Sequence, residues 1–188
     1  TFTSASFAEG NTINTARGFG GGAGIVTAGL VFGGYSTPPG TYHAITESYN
    51  GTSWTEVGDL NTARSAAASA GTATAALLAA GRISSPADSL ISEEFNGTSW
   101  TEGDDLNAER YSVQNKGGGT QTAALCVGGR DKGPSSYLTV TEEYNGSAWS
   151  EVTDYPTGTE SGSGLGTQTA ALVAGGYTGS YVTTAFEY

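Results

Sequence analysis

The chain has 188 residues, with 7 basic against 18 acidic side chains and a formal net charge of −11. That surplus repels nucleic-acid phosphates and anionic lipid headgroups, so neither nucleic acid nor a membrane surface is an expected partner. Cys126 is the one cysteine and His43 the one histidine, which leaves no internal disulfide, zinc cluster or histidine-based triad to assemble.

No apolar run approaches the ~20 residues of a membrane helix, and no signal peptide is legible at the start. A chain that begins at Thr1 and lacks methionine is expected to be a processed product or part of something longer.

From the N-terminus, a Gly/Ala-rich run follows Arg17, and a ten-residue segment, IVTAGLVFGG, occupies 25–34. A loop leads to SYNGTSW at 48–54, and TEVGDLNTAR at 55–64 closes the unit. The same order then recurs. The ten-mers TATAALLAAG, TQTAALCVGG and TQTAALVAGG start at Thr72, Thr120 and Thr167, and EFNGTSW and EYNGSAW start at Glu94 and Glu143. Gly34, Gly81, Gly129 and Gly176 mark a period of about 47 residues, the range in which a unit must stack on its neighbours to bury its apolar face.

Each unit reads as four short strands. A Thr-rich ten-mer ending in a Gly pair suits a buried strand running into a turn, where glycine frees the backbone. Asn-Gly between strand-like runs predicts a tight hairpin, with a type I′ turn expected at Asn50-Gly51, Asn96-Gly97 and Asn145-Gly146. A helix competes for the Ala-rich 63–80 stretch, but the equivalent RGFGGGAG at 17–24 could not hold a helix interior.

A Gly pair after the second strand, followed by an aromatic residue and a tryptophan five positions later (Tyr49 and Trp54, Phe95 and Trp100, Tyr144 and Trp149), resembles the kelch repeat across the whole chain. That resemblance implies a β-propeller with one four-stranded blade per repeat. The chain departs from the pattern in having few bulky aliphatics on its inner strands. Its TQTAAL, TEEYNG and TSWTE phrasing is similar to Gly/Ala-rich kelch-like repeats of marine bacteriophage structural proteins.

The expected architecture is a single all-β domain, 1–188, forming a four-bladed propeller with repeats at about 14–60, 61–106, 107–155 and 156–188 plus 1–13. Residues 7–17 (FAEGNTINTAR) match 54–64 (WTEVGDLNTAR), so the N-terminal strand is expected to complete the last blade and close the ring. The large aromatics fall on the outer two strands, where the gap between blades widens. They are expected to wedge the blades apart.

Chemistry is thin. Glu93-Glu94 and Glu142-Glu143 are neighbours on strands and point to opposite faces, so they are expected to be solvated rim carboxylates, not an acid/base or calcium pair. Cys126 is expected to fill a small-residue slot. The Asn-Gly-Thr/Ser sequons are explained by turn geometry. No catalytic residue, metal or cofactor is expected, and nothing matches the metal-ligand sets of kelch-fold enzymes.

Strand direction gathers the loops entering the first strand and leaving the second on one face of the disc. That face is expected to collect Arg17, Arg64 and Arg110, with Thr159 in the fourth place, and Tyr35, Arg82, Arg130 and Tyr177 just after the Gly pairs. Planar cations and aromatics around a mouth suit acidic groups and sugar faces. The alternative for the three inner arginines is a structural pairing with Asp59, Asp105 or Asp154.

The variable, proline-stiffened loops of this face mark it as the binding side. The functional expectation is a non-enzymatic module on a virion or cell surface, mediating attachment to a protein or glycan or decorating a larger assembly. The competing class is a carbohydrate-active enzyme with its site at the axial mouth.

Overall fold

A computed structural model describes residues 10–84, 88–113, 118–133 and 136–188. The protein is an all-β, four-bladed propeller. Blade 1 is built from β1 (Gly21–Ile25) and β2 (Ala28–Phe32), a small accessory hairpin of β3 (Tyr35–Ser36) and β4 (Thr41–Tyr42), then β5 (Thr46–Tyr49) and β6 (Trp54–Glu56). Blade 2 comprises β7 (Ala68–Thr72), β8 (Ala75–Ala79), β9 (Ser92–Phe95) and β10 (Trp100–Glu102). Blade 3 comprises β11 (Gly119–Thr120), β12 (Ala123–Val127), β13 (Thr141–Tyr144) and β14 (Trp149–Glu151). In blade 4 the described strands are β15 (Ser163–Thr167), β16 (Ala170–Ala174) and β17 (Ala185–Glu187).

Each sheet is an antiparallel meander in sequence order. The Ala-rich 63–80 stretch is strand, as alignment with the first unit required. The N-terminal strand expected to complete blade 4 falls on residues 1–9, outside the described residues. Residues 10–17 take the place in blade 1 that 57–64 take in blade 2: Asn14 binds Glu47 as Asn61 binds Glu93.

The Asn-Gly hairpins form, but not as type I′ turns. Tyr49 pairs with Trp54, which leaves a four-residue loop, and only the glycines take positive φ (Gly51 92°, Gly97 95°, Gly146 90°). The asparagine contributes its side chain instead. Asn50 Oδ1 accepts hydrogen bonds from the backbone N–H of Thr52 and Ser53, both at 2.9 Å, and Asn96 and Asn145 repeat the arrangement. This is the local side-chain mimicry of a turn that asparagine favours.

Among the described residues, apolar clusters lie at the junctions of blades 1 with 2, 2 with 3 and 3 with 4. Leu30, Phe32, Leu78, Phe95 and Trp100 join blades 1 and 2, while Leu77, Val113, Ala124, Cys126, Tyr144 and Trp149 join blades 2 and 3. Leu125, Val127, Tyr155, Ala171 and Val173 join blades 3 and 4. The outer aromatics act as the expected wedges at these junctions. Trp100 packs edge-on against Phe32 of blade 1, with ring centroids 4.8 Å apart, and its Nε1 donates to Thr46 Oγ1.

Polar bonds follow the same register. Tyr144 and Tyr188 donate their hydroxyls to Glu94 and Glu143 of the preceding blade at 2.7 and 2.8 Å.

Candidate functional site

The three inner arginines do not face the mouth. The side chains of Arg17, Arg64 and Arg110 are at most 1% exposed, and their ion-pair partners Glu47, Glu93 and Glu142 are fully buried. The structural pairing therefore holds, but with glutamates of the third strand and not with Asp59, Asp105 or Asp154. The expectation of solvated rim carboxylates is corrected at Glu93 and Glu142: alternation on the strand turns these inward and leaves Glu94 and Glu143 to take the tyrosine hydroxyls.

Each buried pair is surrounded by hydrogen bonds that make its burial tolerable. Glu93 accepts from Asn61 N, Asn61 Nδ2 and Thr62 N at 2.6, 2.8 and 3.2 Å, and Arg64 Nη2 donates to Leu78 O at 3.1 Å. Arg17 donates from Nε to Gly33 O at 2.9 Å and from Nη1 to Thr15 O at 2.8 Å. Burial alone would raise the Glu47 carboxyl, but hydrogen bonds from Arg17, Asn14 and Thr15 hold it below its ordinary value. Burial pulls the Arg64 guanidinium below its usual value, against the opposing pull of Glu93.

Blade 4 dispenses with the whole device. Thr159 replaces the arginine, Pro156 the asparagine and Phe186 the glutamate, and the Phe186 ring packs against Tyr155 with centroids 5.1 Å apart. Removing cation and anion together leaves neither uncompensated. These arginines and glutamates tie each inner segment to the third strand of its own blade and are unavailable to a ligand.

The outer four predicted residues do occupy equivalent places on one face. Tyr35, Arg82, Arg130 and Tyr177 form bridges to Gly18, Ser65, Tyr111 and Glu160 respectively. They gather into two groups. In the first, a cavity of about 310 Å³ is lined by Phe19, Tyr35, Tyr42, Arg82 and Tyr111 among others. The Arg82 guanidinium lies over the Tyr111 ring, 3.9 Å from its centroid. In the second, Arg130 pairs with Glu160 at 3.3 Å and approaches the Tyr137 ring, while Tyr177 packs edge-on against Tyr137 and Tyr181.

Sequence reasoning missed Tyr42 and Asp88, which pair with Tyr35 and Arg82, and Tyr111 and Tyr137, which both pair with Arg130. Asp88 lies under Arg82, 3.5 Å from its Nε, and among the described residues neither carboxylate oxygen has a hydrogen-bond donor. Burial raises its carboxyl above the ordinary value, and Arg82 pulls the other way. Pro86 and Pro134, expected to stiffen these loops, lie outside the described residues.

Backbone strain lines the axis beside the mouth. Phe19, Ala66, Ser112 and Ser161 all take φ between 51° and 60°, a conformation that costs a residue with a Cβ about 1–2 kcal/mol. Hydrogen bonds hold it in place: Ala66 N to Phe19 O, Ser112 N to Ala66 O and Ser161 N to Ser112 O, each 2.8 Å. Among the described residues, no group of three or more histidine, cysteine or carboxylate side chains could hold a metal ion.

No protein-family model and no curated protein matches this chain. A solved structure described as the structure of YjhT superposes with a TM-score of 0.78 at 12% identity, over 94% of this chain and 67% of that one. At that identity the likeness shows the propeller fold alone.

Proposed function

We propose that this propeller is a non-enzymatic binding module whose loop-face mouth takes a saccharide bearing an anionic group. The observation that carries the reading is the cavity of about 310 Å³ walled by Tyr35, Tyr42 and Tyr111, with the Arg82 guanidinium over the Tyr111 ring. Tyrosine rings offer faces to the C–H side of a sugar, and a stacked guanidinium keeps its outward N–H groups free to fork onto a carboxylate or sulfate. Arg130, Tyr137 and Tyr177 supply a second set of the same chemistry on the same face.

Display on a virion or cell surface, within a larger assembly, is part of the proposal. It draws on the resemblance of the repeats to kelch-like bacteriophage structural proteins.

A glycan array probed with the wild-type chain and with Arg82→Ala, Arg130→Ala and Tyr177→Ala tests the reading. Retention of one or more acidic saccharides, lost in the Arg82 variant, is the expected result. Uniform absence of binding would contradict it, and turnover of an oligosaccharide would make the protein a carbohydrate-active enzyme instead.

A further inference from the structure

Each blade carries a leucine on its second strand that reports what covers its leading face. Leu30, Leu77 and Leu125 are 1%, 2% and 2% exposed because the next blade lies on them, whereas Leu172, the same position in blade 4, is 37% exposed. Leu165, cross-paired with Leu172 in the sheet, is exposed beside it. Across the seam, Ile25 and Val26 of blade 1 are exposed as well. A cavity of about 360 Å³ runs along blade 1 over Gly22, Gly29, Val31 and Trp54 and reaches Leu30 and Gly71 at the junction with blade 2. Among the described residues, no backbone hydrogen bond joins Ser161 to Phe19 in the way that successive blades are joined elsewhere.

The leading face of blade 4 is more than apolar, because it holds the receiving half of the glutamine and tyrosine contacts made at the junctions of blades 2 with 3 and 3 with 4. Gln121 of blade 3 donates to Ala76 O and Phe95 O of blade 2, and Gln168 of blade 4 donates to Ala124 O and Tyr144 O of blade 3. The matching carbonyls on blade 4 are those of Ala171 and Tyr188, held together by the Tyr188 N to Ala171 O bond. Glu94 and Glu143 receive tyrosine hydroxyls from the following blade. Glu187 stands in the corresponding place and is exposed.

We infer that the leading face of blade 4 docks a further blade of the same repeat type, presenting a glutamine on its inner hairpin turn and a tyrosine on its third strand. The inference stands apart from the ligand proposed for the mouth. It extends a contact register made at the junctions of blades 2 with 3 and 3 with 4.

The test compares the 188-residue chain with one in which a copy of residues 145–188 follows Tyr188. Hydrogen exchange is read on β15 and β16, and an apolar dye reports the exposed face. The extension is expected to protect residues 163–174 and abolish dye binding. Glu187→Ala should weaken that protection in the extended chain and leave the 188-residue chain unchanged.

Unchanged exchange on extension would overturn the inference. So would spin labels at Val26→Cys and Leu172→Cys lying within one sheet spacing, ~10 Å, in the 188-residue chain, since blade 1 would then already cover the face. Protection that rises with concentration in the 188-residue chain would assign the face to a second copy and overturn it equally.

Discussion

Arg64 and Glu93 form an ion pair in which neither side chain has any solvent exposure. Losing one member strands the other in the interior, so Glu93→Gln or Arg64→Leu is expected to cost about 3–5 kcal/mol. The double variant Arg64→Thr/Glu93→Phe, which copies Thr159 and Phe186 of blade 4, is expected to cost far less than the sum. Urea unfolding of the two singles and the double closes the cycle. Additive losses would show that the pair is not the unit blade 4 suggests.

Trp100 links blades 1 and 2 through Phe32 and Thr46. Trp100→Ala is expected to cost about 3–5 kcal/mol through the cavity it leaves. Trp54, half-buried and donating from Nε1 to Asn11 O, is expected to cost clearly less on the same change. Equal shifts in melting temperature would count against the wedge account.

The two glycines of each Gly pair are not equivalent. Ala80 occupies the first position at φ 61°, so Gly128→Ala is expected to be tolerated. At the second position Gly129 has φ +106°, and an added Cβ would lie 2.9 Å from Tyr111 O and 3.0 Å from Val113 Cγ1. Gly129→Ala is expected to cost about 1–3 kcal/mol from the backbone conformation alone, before any displacement of Tyr111. Chemical denaturation distinguishes the two variants.

Asp88 and Glu47 give opposite pH signatures. The folded Asp88 carboxyl is raised, so the folded state binds more protons between the ordinary aspartate value and the raised one, and stability from this group falls as pH rises through that window. Asp88→Asn is therefore expected to stabilise the protein near neutral pH, with the gain vanishing as pH drops to the ordinary carboxylate range. Glu47, held below its ordinary value, contributes stability that is present above that value and is lost as pH falls through the folded one. Melting temperatures against pH for the wild type and Asp88→Asn check both signs.

The period, the strand order and the grouping of Tyr35, Arg82, Arg130 and Tyr177 on one face were legible because each depends on local pattern alone: recurrent glycine pairs, turn residues and strand direction. The partners of Arg17, Arg64 and Arg110 were not. Glu47, Glu93 and Glu142 lie about 30 residues downstream, and of two adjacent glutamates only the register of the folded sheet decides which one turns inward. The hairpin type was misread because Asn-Gly fits a two-residue I′ turn and also a four-residue loop capped by the asparagine side chain. The pairing of Trp54, Trp100 and Trp149 with Tyr49, Phe95 and Tyr144 five residues earlier decides between them.

The most direct test of the proposed site is calorimetric titration of an acidic saccharide retained on the array, using wild-type protein, Arg82→Lys and Arg82→Ala. Stacking on Tyr111 and forked donation belong to the guanidinium and not to an ammonium. The account predicts a tenfold or greater loss of affinity, about 1.4 kcal/mol or more, in both variants, with the melting temperature kept in Arg82→Lys, whose ammonium still faces the buried Asp88. Affinity that survives intact in Arg82→Ala would contradict it.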